Sequence, residues 1–375
     1  GKLGAEAGAG GTWLVMGGSG GFGSAARVAL GTRLGAHTLS LSYDQQPAPE
    51  SGNKIRKIGS PGFHRNLAVE RRLRGLGLTS VSRQADAFDP AAREETVKLL
   101  KDEFGGAKLS GLVWALAAPR GQDPRTGKVI SSALKPLGGP ATVKTFAGPD
   151  GDTPPKIVEF EIERGTPEEA VATQYVMGGR VVEQWIEALA EADALADGFT
   201  LLTISYRGNP LNSAIYRDGL IGLAKADLEF YTAAIDARLK EKVGGRAVAV
   251  EGPAVVTEAS GGIPGVPLYM ALALDVMGDA HEDPLDSMVR MVDENFAPGT
   301  EPGLDDEGLL RMDDRELAED VQTKLRERFE ALNVGDTFDP GLFERFMTEY
   351  ARTRGFDVEG VDYDAEFDTD EICAE

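Results

Sequence analysis

The sequence predicts an α/β protein of the doubly wound class, a parallel sheet covered by helices on both faces. Three observations predict it. Apolar, strand-like runs alternate with helical periodicity from residue 12 onward. A glycine-rich stretch at residues 17–23 separates the first such run from the first helical pattern. The run at residues 109–116 (LSGLVWAL) is apolar almost without interruption, as in a strand buried on both faces.

Each element follows in order. Residues 12–16 (TWLVM) read as a buried strand, 17–23 as a tight loop and 25–34 as a helix. Residues 38–43 (TLSLSY) form a second strand, 65–74 a helix stopped by Gly75, and 80–83 a short third strand. Asp89-Pro90 is a helix start, the acid as N-cap and the proline in the first turn; Val97, Leu100 and Phe104 fall on one face of that helix. From Pro119 to about residue 155 the chain is rich in Gly, Pro and Thr and shows no strong period, which predicts a long loop or a small subdomain. Helix returns over residues 180–196, strand at 200–206 (TLLTISY), a long helix over roughly 219–239, strand at 246–250, and helix from about Leu268 after a loop. The last third reads as helical and acidic. Residues 356–375 carry nine acids and no Lys or Arg, and are expected to be a solvated, partly disordered tail. Residues 1–11 read as a flexible leader.

Composition removes several function classes. The formal charge of −22 argues against nucleic acid as a partner. No apolar run approaches the ~18 residues of a membrane span, and with no export signal a cytoplasmic location is expected. The single cysteine, Cys373, rules out a disulfide framework, and His37, His64 and His281 make no metal-binding spacing, so no metal is expected. One stretch reverses the acidic balance: residues 54–74 hold seven Lys or Arg and one acid. It reads either as a solvated face or as a shore for the phosphates of a cofactor or of coenzyme A.

The glycine stretch carries the first chemical signal. Gly17, Gly18, Ser19, Gly20, Gly21, Phe22 and Gly23 follow a strand and open a helix. Glycine suits places where backbone must approach a diphosphate closely, and the helix start behind it offers free N–H groups. Without a GKS/T ending it is not a nucleoside-triphosphate loop. Asp44 closes the second strand 21 residues after Gly23, where an acid bonds the ribose hydroxyls of NAD and repels the extra phosphate of NADP. Together they predict a Rossmann-type cofactor site. The same glycines fit the G-x-S-x-G elbow of hydrolases, but Ser19 has only one strand before it. Asp86 reads as an adenine contact or as a turn acid, and Leu116-Ala117 as a cofactor wall or as ordinary strand-end packing.

The second signal is Tyr216 with Lys225. Nine steps of ~100° would place them on opposite faces of one straight helix. Asp218 is a good N-cap, so the helix is expected to start after Tyr216, which can then turn back toward the face carrying Lys225. Leu228, Thr232, Ile235 and Leu239 share that face, which predicts a buried lysine. An ammonium near a phenol of pKa ~10 is expected to stabilise the phenolate and draw it toward neutral pH. Tyr206, closing the preceding strand, reads as a site residue or as a packing tyrosine.

These residues resemble a family. Tyr216-Arg-Asp-Gly-Leu-Ile-Gly-Leu-Ala-Lys225 has the Y-x8-K spacing of trans-2-enoyl-CoA reductases and FabV-type enoyl-acyl-carrier-protein reductases. Residues 123–127 (DPRTG), 131–136 (SSALKP), 176–179 (VMGG), 255–257 (VVT) and 358–364 (VEGVDYD) are similar to the same family. The resemblance implies an NADH-dependent reduction of the 2,3 double bond of a trans-2-enoyl thioester carried by coenzyme A or a carrier protein. It implies Tyr216 as proton donor, Lys225 as a ligand of NAD, and Tyr206 as a substrate contact. The implied cofactor contacts are Gly17 to Phe22, Tyr43, Asp44, Asp86, Ala87, Leu116, Ala117, Val255, Val256 and Thr257. A monomer is expected, with a dimer as the alternative. In domain terms, 12–355 form one reductase domain, with 119–175 a substrate-side insertion and 268–355 a helical C-terminal part. The alternatives are a carbonyl reductase of the same fold and a non-catalytic dinucleotide-binding protein.

Overall fold

The computed structural model describes residues 4–48, 50, 52, 57–150, 153–366 and 368. The first half of the chain builds β1 (Thr12–Met16), α1 (Gly21–Leu34), β2 (His37–Ser42), α2 (Pro61–Arg74), β3 (Ser80–Gln84), α3 (Pro90–Phe104) and β4 (Leu109–Trp114). Two hairpins follow, β5 (Arg120–Gln122) with β6 (Val129–Ser131) and β7 (Ala141–Ala147) with β8 (Lys156–Ile162). Then come α4 (Pro167–Met177), α5 (Arg180–Glu191), β9 (Leu195–Ser205), α6 (Leu220–Val243), β10 (Arg246–Glu251), α7 (Val266–Met277), α8 (Pro284–Asn295), β11 (Leu310–Arg311), α9 (Glu319–Ala331) and α10 (Pro340–Arg352).

Seven strands form the predicted sheet in the order β11-β10-β9-β4-β1-β2-β3, every pairing parallel. The chain leaves β1 toward β2 on one side and reaches β4 on the other. That reversal opens a crevice at the carboxyl edge, where this architecture places ligands. On one face, side chains of α3, α5 and α6 (Leu100, Trp185, Leu228, Ile235) bury Leu14, Leu112 and Leu201. On the other, α1 and α8 (Ala26, Leu30, Met288, Met291) cover Val15, Val113 and Val248. A third cluster lies beyond the sheet edge, joining α7, α9, α10 and β8 through Tyr269, Leu325, Phe346 and Ile157.

Local chemistry explains most boundaries. Asp89 caps α3 by accepting from the Ala91 amide, with Pro90 in the first turn. Helix α1 begins at Gly21 rather than Ala25, because its first turn is made of the loop's own glycines. Inside residues 119–155, β5 and β6 are too short to show a period, and β7 is half-buried along most of its length, so no apolar–polar alternation marks it. Helix α4 was signalled but not read: Thr166 and Glu169 form a reciprocal capping box ahead of Pro167. Residues 4–11 do not behave as a free leader. The Gly4 amide donates to the Thr32 carbonyl and the Gly8 amide to the Gly35 carbonyl, each at 2.7 Å, so this stretch is tied to the end of α1. Lys54 to Arg56 and Cys373, with most of the last nine residues, lie outside the described residues. Among the described residues no helix is long and apolar enough to cross a membrane.

Candidate active site

The loop after β1 folds back on itself. A Cβ on Gly23 would stand 2.2 Å from the Gly17 carbonyl oxygen, and one on Gly18 would stand 2.3 Å from Ser40 Oγ. Gly17 has φ +77°, the left-handed region. Helix α1 then starts with Gly20 as N-cap, no side chain bonded to its first N–H groups and no acid in its first turn. That leaves a helix start without a side-chain cap, suited to phosphate, beside the paired charges of Arg65 and Glu258. Opposite lies the loop after β10: Gly21 approaches Thr257 Cγ2, and Gly252 approaches the ring of Phe22. Val255 and Val256 are buried beside it. Leu116 comes within van der Waals reach of Gly17. These predicted cofactor residues are brought to one crevice.

Asp44 stands at the next strand end. Its carboxylate accepts from Ser42 Oγ at 2.7 Å and Ser60 Oγ at 3.0 Å, and Gly62 packs against it beside Ser19. The neighbouring predicted residues are less committed. Tyr43 follows β2 and is 79% exposed. Asp86 accepts from the Phe88 amide at 2.9 Å, the geometry of a turn acid, and the Ala87 carbonyl is taken by Trp185 Nε1 at 2.9 Å. Ala117 is exposed at the end of the β4 loop. Among the described residues of the basic stretch, Arg65 reaches the crevice: Nη1 donates to the Ser19 carbonyl at 2.6 Å and pairs with Glu258 at 2.6 Å.

On the other side of the crevice, Tyr216 sits in the turn before α6, as its spacing from Lys225 requires. The N-cap is Gly219, not Asp218. A Cβ at 219 would lie 2.6 Å from the Ile215 carbonyl oxygen, so only glycine admits this approach. Gly222 is tighter still, 2.1 Å from the Arg217 carbonyl oxygen and 2.5 Å from that of Tyr216. The first turn of α6 therefore rests on the backbone of Tyr216 and fixes it against the helix. The Tyr216 ring meets Tyr206 edge-on at 5.0 Å between centroids. Tyr206 lies just past β9 and accepts from Asn209 and Asn212.

Lys225 is buried on the same stripe of α6 as Leu228, Thr232, Ile235 and Leu239. Among the described residues its ammonium has no hydrogen-bond acceptor; burial holds its pKa down, against the opposing pull of Glu251 and Glu229. Glu251 ends β10 in register with Ser205, and the side-chain oxygens of both are buried without a hydrogen-bond partner among the described residues. Burial, then repulsion from Glu229, raises Glu251 to about 7, against Arg207 and Lys225. Arg207 bridges the acids, bonding Glu229 at 2.8 Å and Glu307 at 2.7 Å with Glu251 at 3.9 Å.

The phenol of Tyr216 corrects one expectation. It is pushed up, not down: burial dominates and the Glu316 carboxylate adds to it. A phenol in that setting keeps its proton, which suits an acid rather than a base. Glu316 itself is buried, accepting from Tyr269 Oη at 2.6 Å and from the Ala254 amide at 2.5 Å. Arg65, Arg207, Asn209, Asn212, Glu229, Glu251 and Glu316 were not singled out by the sequence. Arg65 lay in the basic stretch, and Asn209 and Asn212 meet Tyr206 from only 3 and 6 residues away; Glu251 and Glu316 sit on no motif and join this region through contacts far along the chain.

Comparison with known proteins bears on this geometry. Residues 57–296 match the family model "Trans-2-enoyl-CoA reductase catalytic region", and residues 5–49 match "NAD(P)H binding domain of trans-2-enoyl-CoA reductase". Residues 304–367 match "Enoyl reductase FAD binding domain". The enoyl-[acyl-carrier-protein] reductase [NADH] of a Marinomonas species is 38% identical over 357 residues, covering 94% of this chain and 86% of that protein. The trans-2-enoyl-CoA reductase [NADH] of Clostridium acetobutylicum is 35% identical over 361 residues, covering 95% and 87%. The crystal structure of a trans-2-enoyl-CoA reductase from Treponema denticola in complex with NAD is similar with a TM-score of 0.84 at 34% identity, over 95% of this chain and 86% of that one.

Proposed function

This chain belongs to the trans-2-enoyl-CoA reductase family, and from that premise we propose the chemistry of its crevice: NADH-dependent reduction of the 2,3 double bond of a trans-2-enoyl thioester to the saturated acyl thioester. The observation that carries the assignment is Tyr216, clamped on the first turn of α6 by Gly219 and Gly222 with Lys225 buried on that helix.

The residues fit NADH. The self-packed loop of Gly17 to Gly23 brings backbone and the open start of α1 to a diphosphate, Asp44 faces a ribose, and Thr257 closes over Gly21. The ammonium of Lys225, without an acceptor among the described residues, is available to the hydroxyls of the second ribose. Bound NADH supplies the hydride that goes to C3 of the enoyl group. Tyr216 holds a proton at Oη and donates a hydrogen bond to the thioester oxygen, where negative charge gathers as C3 receives its hydrogen. A proton taken up from solvent at C2 restores the carbonyl and completes the product. Tyr206 forms the neighbouring wall against the acyl thioester. The residues do not fit a flavin in the 304–367 segment: α9 opens with Glu319 and Asp320, and α10 is capped by the carboxylate of Asp339, both unfavourable to a diphosphate.

The test is NADH oxidation with crotonyl-CoA and longer enoyl-CoA substrates. Turnover is expected with the unaltered protein, and Tyr216→Phe should lower kcat by roughly 100-fold or more while NADH affinity stays within a few-fold. Turnover of ketones without enoyl thioesters would make it a carbonyl reductase. NADH binding without turnover of any acceptor would make it a binding protein.

A further inference from the structure

Two asparagines behind Tyr206 decide what its hydroxyl can do. Asn209 turns Oδ1 to the Leu211 amide at 3.0 Å, and Asn212 turns Oδ1 to the Asn209 amide at 2.8 Å. A backbone N–H only donates, so each contact fixes which end of the side-chain amide faces which way. The Nδ2 groups therefore face Tyr206, and both reach its hydroxyl oxygen, at 3.1 Å and 3.4 Å. An amide NH2 cannot accept. The oxygen of Tyr206 thus receives two hydrogen bonds and its own hydrogen is left over. Among the described residues that hydrogen has no acceptor. The arrangement is anchored from behind, since Asn209 Nδ2 also approaches the buried Glu316 at 3.5 Å, and Glu316 is held by Tyr269 and the Ala254 amide.

We propose that Asn209 and Asn212 are positioning residues that make Tyr206 an obligate hydrogen-bond donor to the substrate's thioester oxygen, so that the enolate is held by two phenol hydrogens, those of Tyr206 and Tyr216. This rests on the reductase reading above. Burial and the nearby Glu316 keep the Tyr206 phenol protonated, as the role requires. A donor aimed in advance at an oxygen that becomes negative acts on the transition state more than on the substrate, so its loss falls on kcat rather than KM.

Asn212→Asp tests this. It keeps the shape but swaps a donor for an acceptor, and the Tyr206 hydrogen turns away from the substrate to the new carboxylate. We expect kcat for crotonyl-CoA reduction to fall about 100-fold, with the KM for NADH unchanged. Asn212→Ala, which offers no acceptor, should lose far less. In a Tyr206→Phe background neither change should lower kcat further, because there is no hydroxyl left to aim. Should Asn212→Asp cost as much in that background as in the unaltered protein, or should Tyr206→Phe leave kcat intact while Tyr216→Phe abolishes it, the proposal is overturned alone. Absence of enoyl-thioester reduction by the unaltered protein overturns it together with the functional reading.

Discussion

The loop after β1 and the turn before α6 both lean on glycine, and they meet the same crevice from opposite sides. In the first, Gly17, Gly18 and Gly23 pack the loop on itself and leave the N–H groups of α1 open. In the second, Gly219 and Gly222 bring helix and turn together so closely that the backbone of Tyr216 has one place to lie. The surroundings differ as well. An Arg65–Glu258 ion pair stands at the first loop, whereas Glu229, Glu251 and Glu316 surround the second. Glycine exposes backbone to a ligand in one case and aims a side chain in the other. Damage to the two should therefore separate into lost cofactor affinity and lost turnover.

The sharpest way to break that distinction is Gly222→Ala. The new methyl would meet two backbone carbonyl oxygens at 2.1 and 2.5 Å, and backbone has to move to admit it. A displacement of about 1 Å at Tyr216 costs on the order of 100-fold in kcat. NADH affinity, measured by fluorescence titration, should change little; parallel losses in kcat and affinity would erase the contrast. Gly23→Ala should give the converse. Its methyl meets the Gly17 carbonyl at 2.2 Å, and a strain of about 1–3 kcal/mol weakens NADH binding by roughly 5- to 150-fold. Steady-state kinetics at saturating NADH should then recover most of kcat.

The smallest effect concerns the acidic setting of the second region. Glu251 titrates at about 7 in the folded protein instead of 4.5. Between those values the folded chain holds a proton that the unfolded chain has released, so stability falls as pH rises through that window. The rise corresponds to roughly 3 kcal/mol. Glu251→Gln removes the ionisation. Its melting temperature should exceed that of the unaltered protein at pH 8 by a few degrees and match it closely at pH 5. An equal difference at both pH values would show that the carboxylate is not titrating there.

Much of the first region was legible in the chain. Strand, glycine loop, helix and Asp44 follow one another within 33 residues, from Thr12 to Asp44, and each is a local consequence of φ freedom, helix starts and strand ends. Tyr216 and Lys225 were legible for a similar reason, since their spacing excludes one continuous helix through both. The helix start was placed one residue early because an aspartate looks like a cap, whereas the deciding contact is a clash at 219 with the Ile215 carbonyl. Of the strands in residues 119–155, β7 was missed because a half-buried strand carries no alternating burial pattern, and β5 and β6 because three residues are too few to show a period.

By itself, then, the sequence determined the sheet's class, the glycine loop that opens α1, the choice of a dinucleotide with a free ribose, and the placing of Tyr216 before the helix that carries Lys225. All of these rest on interactions spanning a few residues. Tertiary structure alone decided the charge environment. Glu316 reaches Tyr269 and Asn209 across 47 and 107 residues of chain, and no local spacing encodes such contacts. The direction of the Tyr216 phenol follows from them: an ammonium nine residues away pointed to a lowered pKa, while burial and a distant carboxylate raise it. Burial is a property of the whole packed molecule, and so the proton that Tyr216 keeps is set by the fold.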